Sequence, residues 1–143
     1  MHWKRFPGRL SLALAGLWLL LAVVGCAGGP PANVKMVTCP VEKIEWDVAK
    51  SAEISEFGCE MGKKGMDPAL IFTVGVKNVA AQPQRFRVNI FLLDLDKAAG
   101  HLVPRKGKPP QVAAGETKTV KIPFIKTTDM PGKIHVRVAP LSD

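Results

Sequence analysis

The chain has 143 residues, with 20 Lys+Arg against 12 Asp+Glu for a net charge of +8, and three cysteines. That length accommodates one domain and leaves no comfortable room for two. At 6% aromatic residues and no Tyr, the basic balance lacks the interleaved aromatics that single-strand nucleic-acid binders stack on.

Lys4, Arg5 and Arg9 give the N-terminus a basic head, and Leu10 to Val24 carries no charge. A charged head before about 15 apolar residues fits an export signal, whereas a membrane-spanning helix needs about 20. Gly25, Gly28, Gly29, Pro30 and Pro31 break the uncharged stretch where a spanning helix would continue. Val23-Val24-Gly25-Cys26, at the end of that run, resembles the lipobox of bacterial lipoproteins. The resemblance implies that Cys26 receives a diacylglyceryl group on its thiol. It also implies cleavage before Cys26 and acylation of the new amino group. An uncleaved anchor with an unmodified cysteine is the alternative. Residue 27 is Ala and not Asp, which in similar Gram-negative lipoproteins favours transfer to the outer membrane. The expected division is a signal peptide over 1–25, a lipidated tether over 26–35 and a folded domain over 36–143. Loss of Lys4, Arg5 and Arg9 lowers the net charge from +8 to +5. Several acyl chains hold such a protein firmly, since each buried methylene contributes about 0.8 kcal/mol.

Beyond Cys26 only Cys39 and Cys59 remain. An even pair in an exported chain reads as one disulfide. Their spacing is not that of a CxxC redox motif, and no His lies between them. A metal site or two free thiols are the other possibilities.

Next in chain order, Ile44, Trp46 and Val48 alternate with Glu45 and Asp47, which predicts a half-buried strand over 43–49. A helical stripe of Val41, Ile44, Val48 and Ala52 competes with it. The stretch 49–68, with Gly58, Gly62, Gly65 and Pro68, reads as irregular and partly exposed. Phe72, Val74 and Val76 then share one face of a strand that ends at Asn78. Residues 80–84 form a turn or loop. Phe86, Val88, Ile90 and Leu92 share one face of the next strand, and "KAAG" at 97–100 reads as a turn. "HLVP" reads as a short strand and "RKGKPP" as a loop. A turn at 113–116 precedes a strand carrying Val120, Ile122 and Phe124. Pro123 demotes that strand to an edge or bulge position. After the turn "DMPG", Ile134, Val136 and Val138 alternate with Lys133, His135 and Arg137, and the last two strands read as a hairpin. Period-two segments separated by turns, with no βαβ rhythm, predict an all-β fold, a single antiparallel β-sandwich. The folded part has the size of an immunoglobulin-like (Ig-like) domain.

"VGVKNVAAQPQRFRVNIFLLDLD" and "VAAGETKTVKIPF" resemble small Ig-like domains of bacterial envelope proteins with an FxLYD-type pattern. In that pattern a strand ending in Val-x-Asn leads to a long strand and a Leu-Tyr-Asp turn. An Ala-Gly-Glu turn then opens another strand. Leu93 stands where the pattern has Tyr. The resemblance covers residues 70–125 and implies a fold; it implies no single activity.

Several groups invite a chemical reading. Asp94 and Asp96 could begin a calcium loop, but calcium wants six to eight oxygens, and a turn is the plainer account. Met36, Met61, Met66, Met130, His101 and His135 are of copper-ligand type without a ligand loop, so no metal or cofactor is expected. Arg105, Lys106 and Lys108 cluster as a candidate contact for an anionic surface. Residues 42–60 carry a net −4 and residues 61–143 a net +8. The acidic stretch either neutralises the basic domain or leaves a two-signed surface for an oriented partner. No GxSxG, HExxH or phosphate-cradling loop occurs. The expectation is a non-catalytic protein, held by its lipid at the periplasmic face of the outer membrane. It would bind or scaffold envelope proteins there, and nucleic acid is not an expected partner. A glycan- or lipid-binding module is the alternative, and a periplasmic metal carrier the more distant one.

Overall fold

The computed structural model describes residues 30–141. The expected signal peptide and Cys26 lie outside the described residues, as do positions 26–29 of the expected tether. Seven strands run in chain order: β1 (Lys43–Val48), β2 (Ala52–Lys64), β3 (Asp67–Asn78), β4 (Phe86–Leu92), β5 (Lys97–Val103), β6 (Thr117–Ile125) and β7 (Lys133–Pro140). There is no helix among the described residues. The strands form a four-stranded sheet, β1-β7-β4-β5, and a three-stranded sheet, β2-β3-β6, packed face to face as a sandwich.

The alternation read from sequence sets the core. Phe72, Val74 and Val76 of β3 are fully buried, as are Val88 and Ile90 of β4 and Ile134 and Val136 of β7. A row of rings crosses this interior. Trp46 meets Phe57 edge-on at 5.1 Å, Phe57 lies 5.6 Å from Phe72, and Phe72 lies 5.6 Å from Phe124. β1 therefore contributes its half-buried Trp46 to a stack that continues through the other sheet. Each such pair adds about 0.5–1.5 kcal/mol beyond its area burial.

Residues 49–68, expected to be irregular, instead contain the whole of a 13-residue strand, β2, and the start of β3. The strand hid because its period breaks. Ile54 and Phe57 both point inward although three residues apart, because the ladder shifts between Ile54 and Glu56. That extra residue is a β-bulge, which resets the alternation. The β2–β3 hairpin closes with Lys64 paired to Asp67 and Gly65 at φ 64°. Glycine at the first loop position supplies the positive φ that a tight hairpin needs. The expected turn at 97–100 is also corrected: these residues open β5, and the chain turns at 93–96. Ala and Gly give β5 no strand signature, yet Gly100 is required. A Cβ there would meet the Asn89 side chain and lie 2.9 Å from the Val88 carbonyl oxygen.

Two pairings also differ from expectation. β6 and β7 do not form a hairpin, since β6 pairs with β3 and β7 with β4 and β1 in the other sheet. The sandwich is not wholly antiparallel, because β1 runs parallel to β7, with Glu45 opposite His135 and Asp47 opposite Arg137. Alternation tells which face of a strand is buried, but it carries no information on distant partners. The parallel register has an electrostatic consequence. Glu45 lies 3.0 Å from Lys133 and Asp47 lies 3.2 Å from Arg137, so two acids of the negative stretch are matched by β7 cations. The Lys133 ammonium, with Lys43 as a second donor, holds the Glu45 carboxyl below its ordinary range. These pairs are exposed and set register more than stability.

Ahead of β1, residues 33–38 run along the free edge of β2. Val34 and Val37 bridge to Ile54 and Phe57, and Val34 is buried. The packed part of the chain thus already includes Val34. Cys39 and Cys59 form a disulfide with their Cα atoms 4.7 Å apart, which pins this segment to β2. In the chain-entropy account a loop of this length contributes about 3 kcal/mol. Cys39→Ser with Cys59→Ser is expected to lower the unfolding free energy by about that amount in urea titrations. A loss below about 1 kcal/mol would show that the segment is held by β2 alone.

Candidate basic cleft

β5 and β6 are the edge strands of opposite sheets, and they lie side by side at one flank of the sandwich. At one end of this seam, Lys97 Nζ donates to the Lys126 carbonyl at 3.1 Å and to Thr127 Oγ1 at 2.9 Å. Toward the other end the seam widens into a cleft of about 560 Å³. Its volume falls within the range typical of small-molecule sites.

Three separate stretches of backbone bring cations to this cleft: Lys63 and Lys64 before the β2–β3 turn, Arg105 after β5, and Lys118 and Lys121 from β6. Ile71, Val120, Pro104 and Pro123 supply apolar lining between them. No carboxylate lines the cleft among the described residues. Lys118 is already engaged by Glu116 at 2.6 Å. Lys63, Lys64, Arg105 and Lys121 make no ion pair with any described residue. Arg85 braces the loop that carries Arg105, donating through Nε to the Pro104 carbonyl at 3.3 Å and through Nη2 to the Arg105 carbonyl at 3.4 Å.

The backbone of β6 adds donors. Lys126 N–H reaches the Pro68 carbonyl and Asn78 N–H reaches the Glu116 carbonyl. The even-numbered residues of this unbroken ladder thus face β3. By alternation the N–H groups of Thr119 and Lys121 face the open edge. Pro123, which has no N–H, falls on that same edge, where proline is tolerated and discourages a further strand.

His101 lines the cleft from β5. Burial first, then the charges of Arg105 and Lys64, push its imidazole below the ordinary value of 6.5. The folded protein therefore binds fewer protons here than the unfolded chain. Stability present above about pH 6.5 is lost as the pH falls below that value. Glu45 and Glu116, both lowered from 4.5, lose their contributions only in more acidic solution. Between pH 7.5 and 5.5, His101→Gln is thus expected to flatten the acid limb of the urea midpoint. An unchanged slope would place the titration elsewhere.

Of the cations singled out in sequence, Arg105 lines the cleft, while Lys106 and Lys108 are exposed on the loop outside the lining. Lys63, Lys64 and Lys121 were not legible as site residues; the adjacent pair Lys63-Lys64 beside a turn glycine was the one available signal. Asp94 Oδ2 accepts the Gly132 N–H at 2.6 Å and ties the β4–β5 turn to the β6–β7 loop. No group of three or more His, Cys, Asp or Glu gathers among the described residues. The copper-type residues are dispersed. His101 and His135 sit on strands separated by β4, Met66 is at the hairpin tip, and Met130 Sδ lies 3.8 Å from the disulfide sulfur of Cys59. Comparison with known proteins gives no match among family models, curated proteins or solved structures.

Proposed function

We propose that this chain is a non-catalytic, lipid-anchored envelope protein whose sandwich, of Ig-like kind, serves as a binding or scaffolding module at the periplasmic face of the outer membrane. The basic head, apolar run and Val-Val-Gly-Cys sequence support the anchor at Cys26. The Cys39–Cys59 disulfide agrees with an oxidising compartment. Seven strands in two sheets, with Asn78 ending β3, support the Ig-like assignment. The observation that carries the binding role is the cleft, where uncompensated cations from three stretches of chain surround an apolar lining. A lipid anchor raises the local concentration of such a module at the membrane.

Crosslinking in intact membranes followed by capture of this chain tests the reading. One or a few specific envelope proteins are expected. Recovery of lipid or glycan alone would contradict the scaffolding role and leave the alternative, a glycan- or lipid-binding module. That alternative draws on the cleft's size and charge. A stacking platform for neutral sugars is not supported, because the single Trp of residues 26–143, Trp46, packs edge-on against Phe57.

A further inference from the structure

We infer that the β5–β6 cleft binds a phosphate group carried on a body with an apolar or ring face, an inference that rests on reading the sandwich as a binding module. Lys63, Lys64, Arg105 and Lys121 converge without an ion-pair partner among the described residues; Glu116 on Lys118 and Glu56 on Thr119 Oγ1 adjoin the cleft from outside its lining. Like charges gathered this way repel, and an anion relieves that repulsion when it enters. One carboxylate would offset only one of them. A phosphate monoester carries a charge of about −1.5 to −2 and three acceptor oxygens. The donor set suits those oxygens: the Arg105 guanidinium, on a loop whose backbone Arg85 braces, lysine ammoniums, and the unpaired Thr119 and Lys121 N–H groups at the β6 edge. Ile71, Val120 and Pro123 give the rest of the ligand an apolar surface. The cleft is much larger than a bare phosphate needs.

The source of the phosphate is either a lipid headgroup or a soluble or glycan-borne phosphate ester. Both present the same chemistry, and the probes separate them. The full-length protein is titrated with inorganic phosphate, glucose 1-phosphate and glucose, and mixed with vesicles containing phosphatidic acid, a lipid phosphate monoester, or phosphatidylcholine alone. Amide signals of Thr119 and Lys121 are expected to shift with both phosphates and not with glucose, with glucose 1-phosphate the tighter of the two. The titration midpoint of His101 is expected to rise when the ester is bound. Lys64→Glu with Arg105→Glu should weaken binding at least tenfold. Lys106→Glu with Lys108→Glu, on the same loop but outside the cleft, should change it less than twofold. All four side chains are exposed, and unchanged urea midpoints confirm that the variants fold. Preference for phosphatidic acid vesicles, lost with Lys64 and Arg105, assigns a lipid source. Response to the sugar phosphate alone assigns an ester.

Absence of response to every phosphate probe overturns the inference. Equal weakening by the Lys106/Lys108 reversal also overturns it, because the effect would then be general surface charge. The capture experiment remains separate. Partners captured without phosphate binding leave the module reading standing and this inference refuted, while phosphate binding without captured proteins does the reverse for scaffolding.

Discussion

Phe72→Ala is expected to lower the unfolding free energy by about 4 kcal/mol. Phe72 is fully buried on β3, the central strand of its sheet, and touches both Phe57 and Phe124. Truncation removes the transfer free energy of a ring, opens a cavity between the sheets and breaks the aromatic row at its middle. Backbone pairing on both sides of β3 limits how far the site can collapse, which keeps the cost well inside the usual range for a buried ring. For a domain of this size the melting temperature should fall by roughly 15–25 °C. Phe91→Ala is the contrasting case. Phe91 is half-buried and its ring meets His135 at 5.7 Å on the outer face of its sheet, so about 1 kcal/mol is expected. Equal losses for the two variants would show that the row from Trp46 to Phe124 does not form the core.

Asn78→Leu is expected to destabilise by about 3–5 kcal/mol, although Leu is close in size and apolar. Asn78 is fully buried and serves three backbone groups. Its Nδ2 donates to the Gln82 carbonyl at 2.8 Å and the Val112 carbonyl at 2.9 Å, and its Oδ1 accepts the Ala80 N–H at 2.9 Å. Leu leaves all three without this partner, and each buried unsatisfied group costs about 1–3 kcal/mol. The same side chain fastens the β3–β4 loop to the segment entering β6, where the Gly115 N–H also reaches the Asn78 carbonyl. Asn78→Asp keeps the acceptor for Ala80 but removes both donations and buries a carboxylate against two carbonyl oxygens, so a loss of at least similar size is expected at neutral pH. Urea midpoints of the two variants check this. A loss under 1 kcal/mol for Leu would mean that water replaces the side chain and that the loop is not tied there.

Strand existence was largely legible where burial on one face is unbroken: Phe72 to Val76, Phe86 to Leu92, Val120 to Phe124 and Ile134 to Val138 all alternate as read. β2 was illegible because one bulged residue moves Phe57 out of phase with Ile54. β5 was legible only at its end, where "HLVP" read as a strand; its first half was hidden because its Ala and Gly residues mark a close approach to Asn89 and carry no strand propensity of their own. The parallel β1–β7 pairing and the separation of β6 from β7 depend on distant partners, which local periodicity does not encode. The disulfide followed from counting cysteines once an export signal was read. The cleft followed only in part. Arg105 stood out within a run of charge, whereas Lys63, Lys64 and Lys121 join it through tertiary structure. His101 was noticed in sequence only as a copper-type residue; the structure places it beside Arg105 and Lys64.

The proposed attachment at Cys26 would place the chain in an oxidising compartment, with which the Cys39–Cys59 disulfide agrees. Intact-mass and N-terminal peptide spectrometry of the protein isolated from membranes tests it directly. The predicted result is a chain beginning at Cys26, with a diacylglyceryl thioether on its sulfur and an acyl group on its amino nitrogen. A chain that retains residues 1–25, or that carries Cys26 as an unmodified thiol, would contradict it.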